Sequence, residues 1–129
     1  MTLQVLMPPA LRDACGKAGM SPGIVSHNHV FLTGVTGAGP DGTMPETPQA
    51  QFEACFAKIA GVLAEAGLTL DALVEMTSYH VGLRDHFDLF VTVRLKHLSD
   101  PYPAWTAVEV AGLRRIDAVV EIRVVAALD

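Results

Sequence analysis

A chain of 129 residues with 14 acidic side chains against 9 Lys and Arg has a net charge of −5, which argues against the clustered positive surface that phosphate-backbone recognition needs. Half of the residues are hydrophobic and only 18% are charged, an apolar excess for a small monomer that predicts surface buried between subunits. The length suits one domain over residues 1–129, Met1 to Ala10 lacks the basic and apolar regions of a secretory leader, and no apolar run reaches membrane-spanning length. A soluble, cytoplasmic protein with no nucleic-acid or membrane partner is expected.

In chain order, Leu3 to Met7 alternates as a short first strand, and Pro8 to Gly23, punctuated by prolines and glycines, reads as loop. Ile24 to Ser26 and His29 to Thr36 form a hairpin around His27 and Asn28, with Asn28 as the residue that tolerates a positive φ. His27 and His29 have no acid or cysteine at ligand spacing, so they are turn or surface residues and no metal site is expected. Gly37 to Thr43 is a turn-rich connection without the Gly-Lys-Ser/Thr of a phosphate loop. Cys15 and Cys55 form neither a disulfide framework nor a metal motif, and nothing in the chain calls for a cofactor.

Thr47 and Pro48 open a helix, the first as N-cap and the second at the position where a missing N–H does no harm. Phe52, Cys55, Phe56, Ile59, Val62 and Leu63 recur at three- and four-residue spacing until Gly67 stops the helix, which makes Cys55 a core residue. Leu73 to Val81 is a strand in which His80 alternates with Val74 and Met76 toward the core, its ring satisfied locally, while Tyr79 faces the other way. Asp85 is expected to cap a second helix with the stripe Phe87, Phe90, Val91, Leu95 and Leu98 and with Asp88 in its first turn; Pro101 and Pro103 end it.

Two alternating strands close the chain. In Ala104 to Val110, Trp105, Ala107 and Glu109 point one way and Ala104, Thr106, Val108 and Val110 the other; in the second, Val120, Ile122 and Val124 oppose Val119, Glu121, Arg123 and Val125. A solvated face has little use for a tryptophan. If these strands pair antiparallel, Trp105 and Glu121 share a face and bring an aromatic wall and a titratable group to one cleft. The pattern as a whole predicts an α+β fold, a single mixed sheet of about six strands with two helices on one face.

The stretch PAWTAVEVAGLRRIDAVVEIRVVA, Pro103 to Ala126, resembles without a gap the C-terminal signature of the Rid family (YjgF/UK114-like proteins), approximately PARxxVxVxxLPxxxxVEIExxA. It matches at Pro103, Ala104, Val108, Val110, Leu113, Glu121, Ile122 and Ala126. FLTG at Phe31 to Gly34 resembles the family's FVSGQ, Gln51 falls on its helix-opening glutamine, and AGLTLDALVEMTSYHV resembles its AGxxxxDVVKxTVFV segment. The resemblance, over roughly residues 20 to 126, implies the chorismate-mutase-like YjgF fold, assembled as a homotrimer with small-molecule clefts between subunits.

In Rid deaminases the arginine at the Trp105 position clamps the carboxylate of an enamine or imine derived from an amino acid, and the acid at the Glu121 position helps orient the attacking water. By that resemblance Glu121 is the expected catalytic residue, and Trp105, Thr33, Met20, Thr106 and Ala107 are the expected substrate contacts. Met20 stands where the family often has a pocket tyrosine, and Thr33 where it has serine. Loss of a bidentate guanidinium removes about 1.5 to 3 kcal/mol of charge-assisted hydrogen bonding, so the expected ligand is less anionic, or larger and more aromatic, than 2-aminoacrylate. Two functions follow from the resemblance: a hydrolase of C=N or enamine bonds, or a non-catalytic ligand-binding or regulatory trimer. Ribonuclease activity, also reported in the family, fits poorly with the acidic charge.

Overall fold

The computed structural model describes residues 3–129. Its strands are β1 (Gln4–Leu6), β2 (Gly23–Ser26), β3 (His29–Leu32), β4 (Leu73–His80), β5 (Ala104–Glu109) and β6 (Val120–Ala127), and its helices are α1 (Arg12–Ala18), α2 (Pro48–Ala64) and α3 (Leu83–His97). The strands form one sheet in the order β1-β2-β3-β6-β4-β5. Only β4 and β5 run parallel, joined across α3 as a β-α-β unit, while every other neighbouring pair is antiparallel. This is the expected mixed six-stranded α+β sheet. No helix among the described residues is long and apolar enough to cross a membrane.

Four local expectations are corrected. Pro8 to Gly23 contains a helix: Pro9–Leu11 form a 3₁₀ turn, α1 follows, and Gly19 ends it at φ 72°. Only Cys15 of α1 is buried, so the segment carries no stripe from which a helix could be read. In the β2–β3 turn the left-handed residue is His27, at φ 54°, rather than Asn28. The pairing of β4 with β6 slips between Leu73 and Glu75, which turns Val74 out to solvent while Met76 and His80 stay buried. Finally, Gly82 rather than Asp85 caps α3, and the two first free N–H groups, of Gly82 and Leu83, donate to the Glu109 carboxylate at 3.0 and 2.7 Å.

The phase of α3 differs as well. Its buried residues are His86, Phe90, Val93 and Arg94, whereas Phe87 and Leu95 are partly exposed. Two polar side chains thus occupy core positions of the helix, and an apolar count turns it the wrong way. The apolar stripe of α2 behaves as the sequence predicts: Thr47 Oγ1 accepts from the Ala50 N–H at 3.1 Å, and Phe52, Cys55, Phe56, Ile59, Val62 and Leu63 are all buried. These residues meet Met76, Val120, Ile122, Val124 and Ala126 of the sheet and Phe90 and Val93 of α3 in one core. Phe52 and Phe90 meet edge to face, with ring centroids 5.0 Å apart.

Neither α2 nor α3, which pack in the core, covers the opposite sheet face. Along the register row Val5, Ile24, Phe31, Val125, Val5 and Phe31 remain 48% and 40% exposed.

Gln51, on the first turn of α2, ties the helix to two distant loops. Its Nε2 donates to the Pro45 and Asp117 carbonyls at 3.0 and 2.9 Å, and its Oε1 accepts from the Val119 N–H at 2.9 Å. Replacing it by methionine keeps the volume and strands three backbone groups. Gln51→Met should therefore lower the unfolding free energy by about 2–4 kcal/mol in urea titrations; a change below about 0.5 kcal/mol would show that water serves those groups equally well.

Candidate functional site

β5 is an edge strand, paired only with β4. Because β4 lies between β5 and β6, the last two strands never touch, and register decides where their side chains go. Trp105 aligns with Met76 and, across β4, with Val124; Glu121 aligns with Tyr79 and, across β4, with Val108. Met76 and Tyr79 are three residues apart and point to opposite faces. Within one chain Trp105 therefore lies on the helix side of the sheet and Glu121 on the open side, and the shared face expected from direct antiparallel pairing does not exist.

On the helix side the indole ring of Trp105 lies over α3. Phe87 stacks parallel to it with centroids 5.8 Å apart, Phe90 is tilted at 5.8 Å, and the guanidinium carbon of Arg94 stands 4.3 Å from its ring centre. The indole N–H is already used: it donates to Ser78 Oγ at 2.8 Å. Ser78 lies 2.8 Å from His80 Nε2, and His80 Nδ1 lies 3.0 Å from His86 Nε2. If Ser78 donates to His80, His80 Nδ1–H donates to His86, and the reverse order satisfies the same atoms. His80 is thus the locally satisfied core histidine that the sequence predicts. Ala107, in register with Ser78, sits beside this chain.

Burial, and then the neighbouring His86, push His80 down to about 4, and burial also lowers His86. Burial likewise pushes the Cys55 thiol up to about 12, so it stays protonated with its Sγ 3.6 Å from the Val35 carbonyl.

On the open side, β3 breaks after Leu32. Chain pairing resumes at Val35, which exchanges two 2.9 Å hydrogen bonds with Ile122, so Thr33 and Gly34 form a local irregularity beside β6. Glu121 fills it. A Cβ on Gly34 would lie 2.4 Å from Glu121 Oε2 and within 3.2 Å of its Cδ and Cγ, so the carboxylate rests against bare backbone that only glycine provides. Among the described residues Glu121 has no ion pair; Arg123 instead pairs with Glu75 at 3.9 Å and Arg115 with Asp117 at 3.5 Å. Thr33 is half-buried at this break, its N–H bonded to the Pro22 carbonyl at 3.0 Å. Lys58 holds the following loop by donating to the Thr36 and Ala38 carbonyls, both at 2.8 Å.

The remaining expected contacts separate. Thr106 is exposed on the open face, in register with Thr77, and Met20 is largely exposed in the connection between α1 and β2. Two surface cavities, of about 490 and 410 Å³, are lined by Gly82 to Asp85 with Glu109, and by residues between Ala60 and Asp71 with His97; neither contains Trp105 or Glu121.

A model of the family described as Endoribonuclease L-PSP matches residues 14–128. The chain belongs to this family, that of the Rid proteins. The RutC family protein YjgH of Escherichia coli is 36% identical over 107 residues, covering 82% of this chain and 80% of that one. A solved structure of protein YJGH superposes with a TM-score of 0.90 at 29% identity, covering 99% and 98% of the two chains. RidA from an Antarctic Psychrobacter gives 0.82 at 29% identity, covering 98% of each. Sequence reasoning about this Rid-family chain expects Glu121 and Trp105 as site residues and singles out neither Arg94 nor Ser78, which contact Trp105, nor His86, which joins it through Ser78 and His80.

His80 and His86 give the fold a pH dependence of definite sign. Their folded pKa values lie below the unfolded one near 6.5, so between about pH 4 and 6.5 the unfolded chain binds more protons and stability falls as pH falls. Urea unfolding should show a lower stability at pH 5 than at pH 7, and His80→Gln should shrink that difference even if it destabilises the protein at both. An unchanged difference in the variant would contradict a neutral buried His80.

Proposed function

We propose that this protein is a hydrolase of C=N bonds in small enamine or imine metabolites, acting in a cleft formed between copies of the chain in a homotrimer. The observation that carries the reading is Glu121: a carboxylate with no ion pair among the described residues, packed over Gly34 in a member of the Rid family. Trp105 lies on the other sheet face, so a cleft containing both groups takes them from two different copies. The partly exposed apolar row on the open face and the unpaired edge of β5 are the surfaces such an assembly would cover.

In this mechanism Glu121 accepts a hydrogen bond from a water and removes its proton as the oxygen adds to the imine carbon. Glu121 returns that proton to the nitrogen of the resulting carbinolamine and then takes the hydroxyl proton as the C=O bond forms and the C–N bond breaks, so that the products are a carbonyl compound and ammonia. The aromatic surface around Trp105, its N–H committed to Ser78, packs against the body of the substrate and keeps bulk water away. Thr33 borders the Glu121 side; Thr106, Ala107 and Met20 are proposed as outer contacts of the same cleft.

Ammonia release from imines generated in situ tests the reading. Glu121→Gln should reduce it at least a hundredfold with the assembly intact, and Gly34→Ala, which displaces the carboxylate, should reduce it as well. Parental rates in Glu121→Gln would show that this carboxylate does no chemistry. Light scattering should give three times the 13.7 kDa chain mass; a stable monomer would remove the cleft.

A further inference from the structure

Arg94 is 6% exposed, and its Nε is enclosed without any hydrogen-bond partner. Among the described residues no carboxylate comes within ion-pair distance of its guanidinium. Its neighbours are aromatic: the guanidinium carbon lies 4.3 Å from the Trp105 ring centre and 5.9 Å from that of Tyr102. A buried cation normally has a counter-ion, because stacking on aromatic rings only partly offsets the hydration it gives up. Burial depresses its pKa, the proximity of Tyr102 acting the other way, yet an arginine retains its charge at neutral pH.

We propose that Arg94 is the carboxylate-recognising residue of the Trp105 cleft, and that the ligand is a monocarboxylic acid with a flat, apolar body. This deepens the hydrolase reading and rests on the cleft it assumes. The guanidinium lies over the indole, its carbon 4.3 Å from the ring centre, and its enclosed Nε has no protein acceptor; a carboxylate matches the guanidinium fork in charge and geometry. Phe87 stacks parallel to the indole, at an interplanar angle of 4° with centroids 5.8 Å apart, and adds to the apolar surface. Phe87 and Tyr102 are 37% and 50% exposed, and they form the rim that receives the body of the acid. The cation that the strand lacks at position 105 is thus supplied from α3, one stacking distance away. A single guanidinium suits a singly charged carboxylate better than a phosphate dianion.

Trp105 is the only tryptophan, so its emission reports on this site directly. Phenylacetate and the neutral phenylacetamide, titrated separately into the assembled protein, should both perturb it, with the acid binding 10- to 100-fold more tightly. Arg94→Met, which keeps the packing volume, should abolish that preference while amide binding persists; Arg94→Lys should keep a reduced preference, since charge remains but the fork is gone. Equal binding of acid and amide to the parent overturns the role of Arg94 and leaves the cleft standing. Silence toward both compounds overturns the cleft as well. If Arg94→Met instead dissociates the assembly, as light scattering would show, the counter-ion is an acid of a second copy, and the proposal fails.

Discussion

The position of β4 between β5 and β6 is the constraint on which everything functional here depends. The two C-terminal strands carry the candidate chemistry, and if they were neighbours, Trp105 and Glu121 could lie side by side in one pocket. With β4 inserted, Trp105 aligns with Met76 and Glu121 with Tyr79, and the alternation of side chains along β4 sends the two to opposite faces. The same insertion leaves β5 at the edge, joined by a parallel β-α-β crossover that lays α3 across the indole. Separation of the two groups and enclosure of one of them are thus consequences of one topological choice.

On the helix side that choice creates an interior that is polar at its centre. Trp105, Ser78, His80 and His86 form a continuous hydrogen-bonded chain inside a shell of Phe52, Phe87 and Phe90. The Ser78 acceptor fixes the indole more narrowly than packing alone, since rotation would leave the indole N–H without its partner. Arg94 is the exception, a buried cation whose Nε has no partner and whose guanidinium carbon lies 4.3 Å from the indole centre. On the open side the corresponding irregularity is the break at Thr33 and Gly34, which makes room for the Glu121 side chain. The two features differ in kind from the surrounding core, where apolar side chains meet apolar side chains.

Much of this was legible in the residues. The α2 stripe, its Thr47 cap, the alternation of β5 and β6 and the burial of His80 follow from periodicity and local chemistry, because each depends on neighbours close in sequence. The pairing of β4 with both C-terminal strands does not, since strand order is a long-range property and register is set by contacts across the sheet. α1 went unseen because a helix that buries one cysteine has no stripe. The α3 face was turned by two residues, His86 and Arg94, that violate the rule that core positions are apolar. Local rules commonly fail at functional positions, and here the failure singles out Arg94, over the Trp105 ring, and His86, at the far end of the hydrogen-bonded chain that begins at Trp105.

The central claim is that Glu121 and Trp105 serve the same cleft from different copies, and subunit mixing addresses it directly. Glu121→Gln and Trp105→Ala chains, each inactive alone, should regain about a quarter of the parental ammonia-releasing rate after random exchange into trimers, because one interface in four then joins an intact Glu121 to an intact Trp105. If exchange is verified by mass and the mixture stays as inactive as its components, the two residues do not meet across subunits, and the account is wrong.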